Sequence, residues 1–224
     1  MPQPQDRRTF LEQVGVASAA IIGAASLPPR PAIAATTGTT GGEWDVSWLN
    51  ALKPASYRAV IDANVLEEGY AADLASGLLN DFLEVHGASG DQVRIVIVAR
   101  RGGTPLVLGD ALWNSFPISE DVKLSDSGNA PYRRNPYYRA RPGASAQSSA
   151  TKLETLQQRG VILLVCNVAA TNWSRRLAEM AKRNVEEVKK EVYANFVPGT
   201  IVVPSGVFAL MRAQNAGCAY MRGQ

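Results

Sequence analysis

Among residues able to do covalent chemistry, Cys166 has the most telling position. It follows the apolar run Val161-Ile162-Leu163-Leu164-Val165 and precedes Asn167. A run of that length reads as a buried strand, and a helix-period segment comes next. If the strand belongs to a parallel set, its carboxyl end is where ligands collect. A thiol there, beside the N-terminus of the next helix, sits in a positive field that favours the thiolate. The thiolate is the form that attacks and carries sulfur. Free cysteine also packs as a small hydrophobe, so the residues alone leave a reactive and a buried structural thiol both open.

Two glycine-bearing turns add candidates. Gly102-Gly103-Thr104 follows the apolar run V-R-I-V-I-V-A, with Arg100 and Arg101 beside it. Glycines let a backbone approach a ligand, and a helix N-terminus offers free N–H groups to an anion. Thr104 is expected as the N-cap and Pro105 as the first residue of a helix running to Phe116. Pro204-Ser205-Gly206 holds the equivalent place after a later strand, where Ser205 suits an N-cap. Arg100, Arg101, Gly103, Thr104, Asn167 and Ser205 are therefore the candidate ligand-binding residues around Cys166. The sole histidine, His86, excludes a His-rich metal site, and no cofactor motif occurs. Cys218 opens the last expected strand, at the opposite end of a parallel sheet. A disulfide needs Cα atoms within ~7 Å, so two free thiols, or an intermolecular bridge, are expected.

The elements that must position these residues alternate regularly. Strands are expected at 57–65, 93–99, 161–165, 200–203 and 218–221. Helices are expected at 71–85, from Thr104 to Phe116, at 172–194 and from Ser205 to Gln214. The first helix carries Leu74, Leu78, Phe82 and Val85 at helical spacing. Such alternation gives a mainly parallel sheet covered on both faces. Five strands without a dinucleotide fingerprint predict a flavodoxin-like three-layer α/β sandwich. Residues 118–150 are rich in Ser, Gly, Pro, Arg and Tyr without a period, and read as a long loop of the kind that serves as a lid or stays mobile. Arg133, Arg134, Arg139 and Arg141 make it basic, able to steer an anion or dock a partner.

The N-terminus gives an address. Arg7-Arg8-Thr9-Phe10-Leu11, an uncharged run from Val14 to Leu27 and Ala32-Ile33-Ala34 form a twin-arginine signal peptide over 1–34. Asp6 and Glu12 occupy places that the usual pattern gives to other residues. The expectation is export to the periplasm, with a flexible lead-in over 35–55 and one domain over 56–224. Removing the signal's charges leaves 20 basic and 18 acidic side chains, a balance that calls for no nucleic acid or anionic membrane. No apolar run after the signal is long enough to span a bilayer.

The stretch N-F-V-P-G-T-I-V-V-P-S-G-V-F-A-L-M-R-A-Q-N-A-G-C-A-Y-M-R, Asn195 to Arg222, resembles the C-terminal signature of the DsrE-like (DsrE/DsrF) family. Gly-Thr-Pro and Asp-Ala-Leu-Trp between Arg100 and Trp113, and the strand into Cys166, are similar to the family's middle segments. The resemblance implies a compact α/β sandwich that assembles into homotrimers or hexamers. It also implies that Cys166, at the position of the relay members' cysteine, carries persulfide sulfur. Those relay members are cytoplasmic, whereas this chain carries an export signature. The expected activity is sulfane-sulfur binding or transfer, with a small sulfur-containing or anionic ligand. A non-catalytic oligomeric binding module, its pocket at the strand ends and its cysteine buried, is the alternative.

Overall fold

The structure, a computed structural model, describes residues 44–88 and 90–223. The expected signal peptide lies outside the described residues. Five strands, β1 (Tyr57–Ala63), β2 (Val93–Ala99), β3 (Ile162–Cys166), β4 (Ile201–Val203) and β5 (Ala219–Arg222), form one parallel sheet in the order β4-β3-β2-β1-β5. Every residue of β2 is buried, as a central parallel strand requires.

Two apolar cores lie on the two faces, which makes the three layers. Ala59, Ile61, Ile95, Ile97, Leu163 and Val165 face one core. It is covered by α1 (Tyr70–His86), α5 (Leu153–Gln158), α6 (Asn167–Ala181) and α7 (Val185–Ala194). Val60, Val96, Val98, Leu164, Ile201 and Val203 face the other, beneath α8 (Gly206–Asn215) and a 3-10 helix at Ser47–Leu52. The fold is thus the expected flavodoxin-like α/β sandwich. The connection leaving β3 crosses the first face, and the one leaving β4 crosses the second and runs back past β3, β2 and β1. The ten-residue α8 touches all five strands on its way. The crevice between oppositely directed connections, at the carboxyl ends of β3 and β4, is a topological switch point.

Four elements differ from the sequence expectation. Thr104 does not cap a helix. It lies inside a 3-10 segment, Arg101–Val107, and α2 (Asp110–Ser115) starts after Gly109. The single helix expected at 172–194 is two: α6 begins at Asn167 and ends at Lys182 in the left-handed conformation, and the Asn184 side chain caps α7 by accepting from the Glu186 and Glu187 amides. Asn is a strong N-cap, and one inside a continuous helical pattern is a restart signal. The lead-in is partly structured, because Trp48, Leu52 and Ala55 are buried.

The fourth is the segment 118–150, which is not without structure: a few of its side chains are buried. It contains α3 (Ile118–Asp121) and α4 (Ala146–Ala150). Asn135, 3% exposed, donates to the Leu106 and Leu108 carbonyls at 2.9 and 2.7 Å and accepts from the Tyr137 amide at 2.8 Å. Arg133, Arg134 and Arg139 are paired with Glu120, Asp110 and Glu154. Those pairs neutralise much of the charge that suggested anion steering.

Candidate functional site

Side chains alternate between faces along a strand, so register tells which residues meet. Ala99 of β2 pairs with Val165 of β3, which makes Arg100 and Cys166 neighbours just beyond. Both continue the alternation of Val98 and Leu164 on the α8 face. On the same face β1 contributes Asp62, and β5 contributes Tyr220 and Arg222, with Asp62 level with Arg222. Four strands, β1, β2, β3 and β5, thus deliver Asp62, Arg100, Cys166, Tyr220 and Arg222 toward one end of one face.

The centre of this group is an ion pair. Arg100 donates from Nε to Asp62 Oδ1 and from Nη2 to Oδ2, each at 2.7 Å. The Asp62 side chain is 3% exposed and that of Arg100 20%. The Tyr220 hydroxyl adds a third bond to Asp62, at 3.0 Å. Asp62 holds the Arg100 pKa above its ordinary value through this hydrogen bonding, against the opposing effect of burial; the Cys166 sulfur contributes a smaller rise. Burial, then the bond to Asp62, raises the Tyr220 hydroxyl. Arg100 keeps its place because Gly206 has no side chain: a Cβ there would lie 2.7 Å from Arg100 Cδ and 3.0 Å from its Cβ. Arg100 Nη1 donates to no partner among the described residues.

Cys166 is both the last residue of β3 and the N-cap of α6. Its sulfur accepts from the Ala169 amide at 3.4 Å, and the residue is 7% exposed. Asn167, the first residue of α6, accepts from the Tyr193 hydroxyl through Oδ1, and Thr171 completes that group at 3.1 Å. Burial pushes the Tyr193 hydroxyl up, and the neighbouring Cys166 adds to the rise. Ser205 caps α8 by accepting from the Phe208 amide at 3.1 Å. The N-termini of α6 and α8 therefore lie at the carboxyl ends of adjacent strands, with Cys166 capping one of them.

The structure thus gathers Cys166, Arg100, Asn167 and Ser205 at the ends of β2, β3 and β4. It sets Gly103 and Thr104 apart. Both are buried, and a Cβ on Gly103 would stand 2.0 Å from the Ala63 carbonyl oxygen. That glycine serves the close approach of two backbones. Thr104 donates to the Arg101 carbonyl at 3.0 Å, which also accepts from Trp173 Nε1 at 2.8 Å. Arg101 itself is exposed.

Sequence reasoning missed Asp62 and Tyr220, and it singled out the Pro204-Ser205-Gly206 turn without the space that Gly206 leaves for Arg100. Asp62 had a signal, as an acid near the carboxyl end of the run Y-R-A-V-I-D-A, where burial of a charge demands a partner. Cys166 and Cys218 are both free. Cys218 precedes the Ala59–Ala219 pair, whereas Cys166 lies beyond the row joining Ala63, Ala99 and Val165. The two thiols are therefore separated along the strands by about 20 Å, at ~3.3 Å per residue. Burial pushes the Cys218 thiol up. A cleft of about 300 Å³ lined by Leu49, Leu52, Lys53, Arg58, Arg212, Asn215 and Ala216 does not include Cys166. Among the described residues no group of three or more His, Cys, Asp or Glu could hold a metal, and no helix is long and apolar enough to cross a membrane.

No family model matches the chain, and no curated protein matches it significantly. Among solved structures, the chain is similar to a protein of unknown function from Methanobacterium thermoautotrophicum, with 19% identity and a TM-score of 0.37, over 74% of this chain and 98% of that one.

Proposed function

We propose that this chain is an exported, oligomeric DsrE-like protein that binds or transfers sulfane sulfur through Cys166. The observation that carries the reading is the sulfur's position: at a topological switch point, accepting a hydrogen bond from the amide of Ala169 in the first turn of α6. That amide belongs to the first turn of a helix, where free backbone N–H groups offer a place for an anionic ligand. In the reaction, the Cys166 thiolate attacks the outer sulfur of a donor. The bond between that sulfur and the rest of the donor breaks, and the leaving group departs with the electron pair. Cys166 is left as a persulfide anion, and no external oxidant or reductant is consumed. Arg100, beside the sulfur, favours an anionic donor, and Arg101 stands at the rim.

Intact-mass measurement after incubation with polysulfide tests the reading. A gain of sulfur on the wild type that is lost in Cys166→Ala supports it. No gain, or an equal gain in the variant, overturns it. The second reading, a non-catalytic binding module in which Cys166 is a structural cap, is favoured by that residue's burial. Alkylation of the native protein separates the two, since a purely structural Cys166 stays unmodified until the chain is unfolded.

A further inference from the structure

The guanidinium of Arg100 has two usable edges. The edge formed by Nε and Nη2 is engaged by both oxygens of Asp62, and Tyr220 holds that carboxylate from the other side. The edge formed by Nη1 and the second Nη2 hydrogen has no partner among the described residues. The pair is therefore a fork fixed at one side and open at the other. Its stem is seated where Gly206 opens α8, and the first amides of a helix have no partner within the helix. Planar two-point donors of this kind match the oxygens of carboxylates, phosphates and sulfonates. The adjacent strand presents Cys166.

We propose that the open edge of Arg100, held in place by Asp62, Tyr220 and Gly206, binds the oxyanion end of the sulfur donor, so that the substrate class is a sulfane sulfur attached to a sulfonate-type group, as in thiosulfate. The inference rests on the reading of Cys166 as the sulfur acceptor. With such a donor, the Cys166 thiolate forms a bond to the outer sulfur and the donor's sulfur–sulfur bond breaks. Sulfite then leaves with the electron pair while its oxygens remain against Arg100. The titratable groups around the bound anion are Arg100, Asp62, Tyr220 and Arg222 from the strands, and Tyr193 from α7 beside Cys166; burial pushes both tyrosine hydroxyls up, so they stay neutral.

Binding can be measured without the sulfur chemistry. Cys166→Ser keeps the N-cap and removes transfer, and thiosulfate binding to it is read by calorimetry. Binding should weaken at least tenfold when Arg100→Gln is added, the scale of one lost charged hydrogen bond. It should stay within twofold when Lys190→Gln is added, which removes the same net charge from the solvent face of α7. Because Arg100→Gln strands the buried Asp62, the paired variant Asp62→Asn/Arg100→Gln provides a neutral substitute, and it should lose binding equally. Absence of binding to Cys166→Ser, equal weakening by the Arg100 and Lys190 changes, or full binding by the paired variant each overturns the proposal. Polysulfide loading of the wild type is decided separately by mass, so failure of Cys166 chemistry and failure of the Arg100 site give different results.

Discussion

Gly206→Ala should destabilise a helix that alanine ordinarily strengthens. On propensity alone, replacing glycine gains up to about 1 kcal/mol. Here the added methyl would meet Arg100 Cδ at 2.7 Å and Arg100 Cβ at 3.0 Å. A rotamer change can move Cδ away, and it abandons the two bonds to Asp62; the Cβ is fixed to the backbone, so its contact is relieved only by a small backbone shift. Stripping a buried ion pair of one partner costs about 3–5 kcal/mol. Arg100 would be displaced rather than deleted, and its side chain is 20% exposed, so a cost near 2–3 kcal/mol is expected by the same reasoning. The net loss is roughly 1–2 kcal/mol, a fall in Tm of about 2–8 °C for a domain of this size. Urea denaturation of four proteins forms the assay: wild type, Gly206→Ala, Arg100→Ala and the double variant. Once Arg100 is shortened to alanine the contacts with Cγ and Cδ are gone and only the 3.0 Å contact with Cβ remains, so the penalty of Gly206→Ala should shrink to a small fraction of its size in the wild-type background. An equal penalty in both backgrounds would mean that the methyl strikes something other than the arginine stem, and the proposed seat would be wrong.

Other outcomes follow from separate features. Tyr137 is buried with an unpartnered hydroxyl, so Tyr137→Phe should raise stability by about 1 kcal/mol in denaturant titration. Burial also raises the Tyr137 pKa above that of the unfolded chain; the folded state then holds the proton longer, and the associated stability is present below about pH 10 and falls as pH rises beyond it. Tyr137→Phe should accordingly flatten the alkaline limb of a Tm-versus-pH curve, and an unchanged limb would count against that assignment. Asn135→Ala removes three hydrogen bonds that tie down the 118–150 segment; it should cost about 2–4 kcal/mol and speed hydrogen exchange there more than in β2. At the head of α6, Cys166→Ser should preserve stability while Cys166→Ala loses about 1 kcal/mol, since serine caps and alanine does not.

Local signals carried the sheet and the placement of Cys166. The run V-R-I-V-I-V-A is strand β2 with its expected ends, and Ser205 caps α8 as read. The signals failed where tertiary contacts override them. Thr104-Pro105 has the local form of a helix start, yet Gly103 must lie against the Ala63 carbonyl, and that approach winds the chain into a 3-10 segment instead. The 118–150 segment lacks any period because its order comes from single side chains such as Asn135 bonding to distant carbonyls. Within the site, Asp62 could be suspected from its charge in an apolar strand. Its partners could not, because Tyr220 stands 158 positions away and the role of Gly206 is to leave space.

Placing the last strand beside the first has a consequence for synthesis. Until Ala219–Arg222 emerges, one flank of β1 has no hydrogen-bonding neighbour. An exposed edge of that kind recruits other chains. Any product truncated before Ala219 would therefore keep its apolar strands and lose their lateral cover, together with the phenol that steadies Asp62.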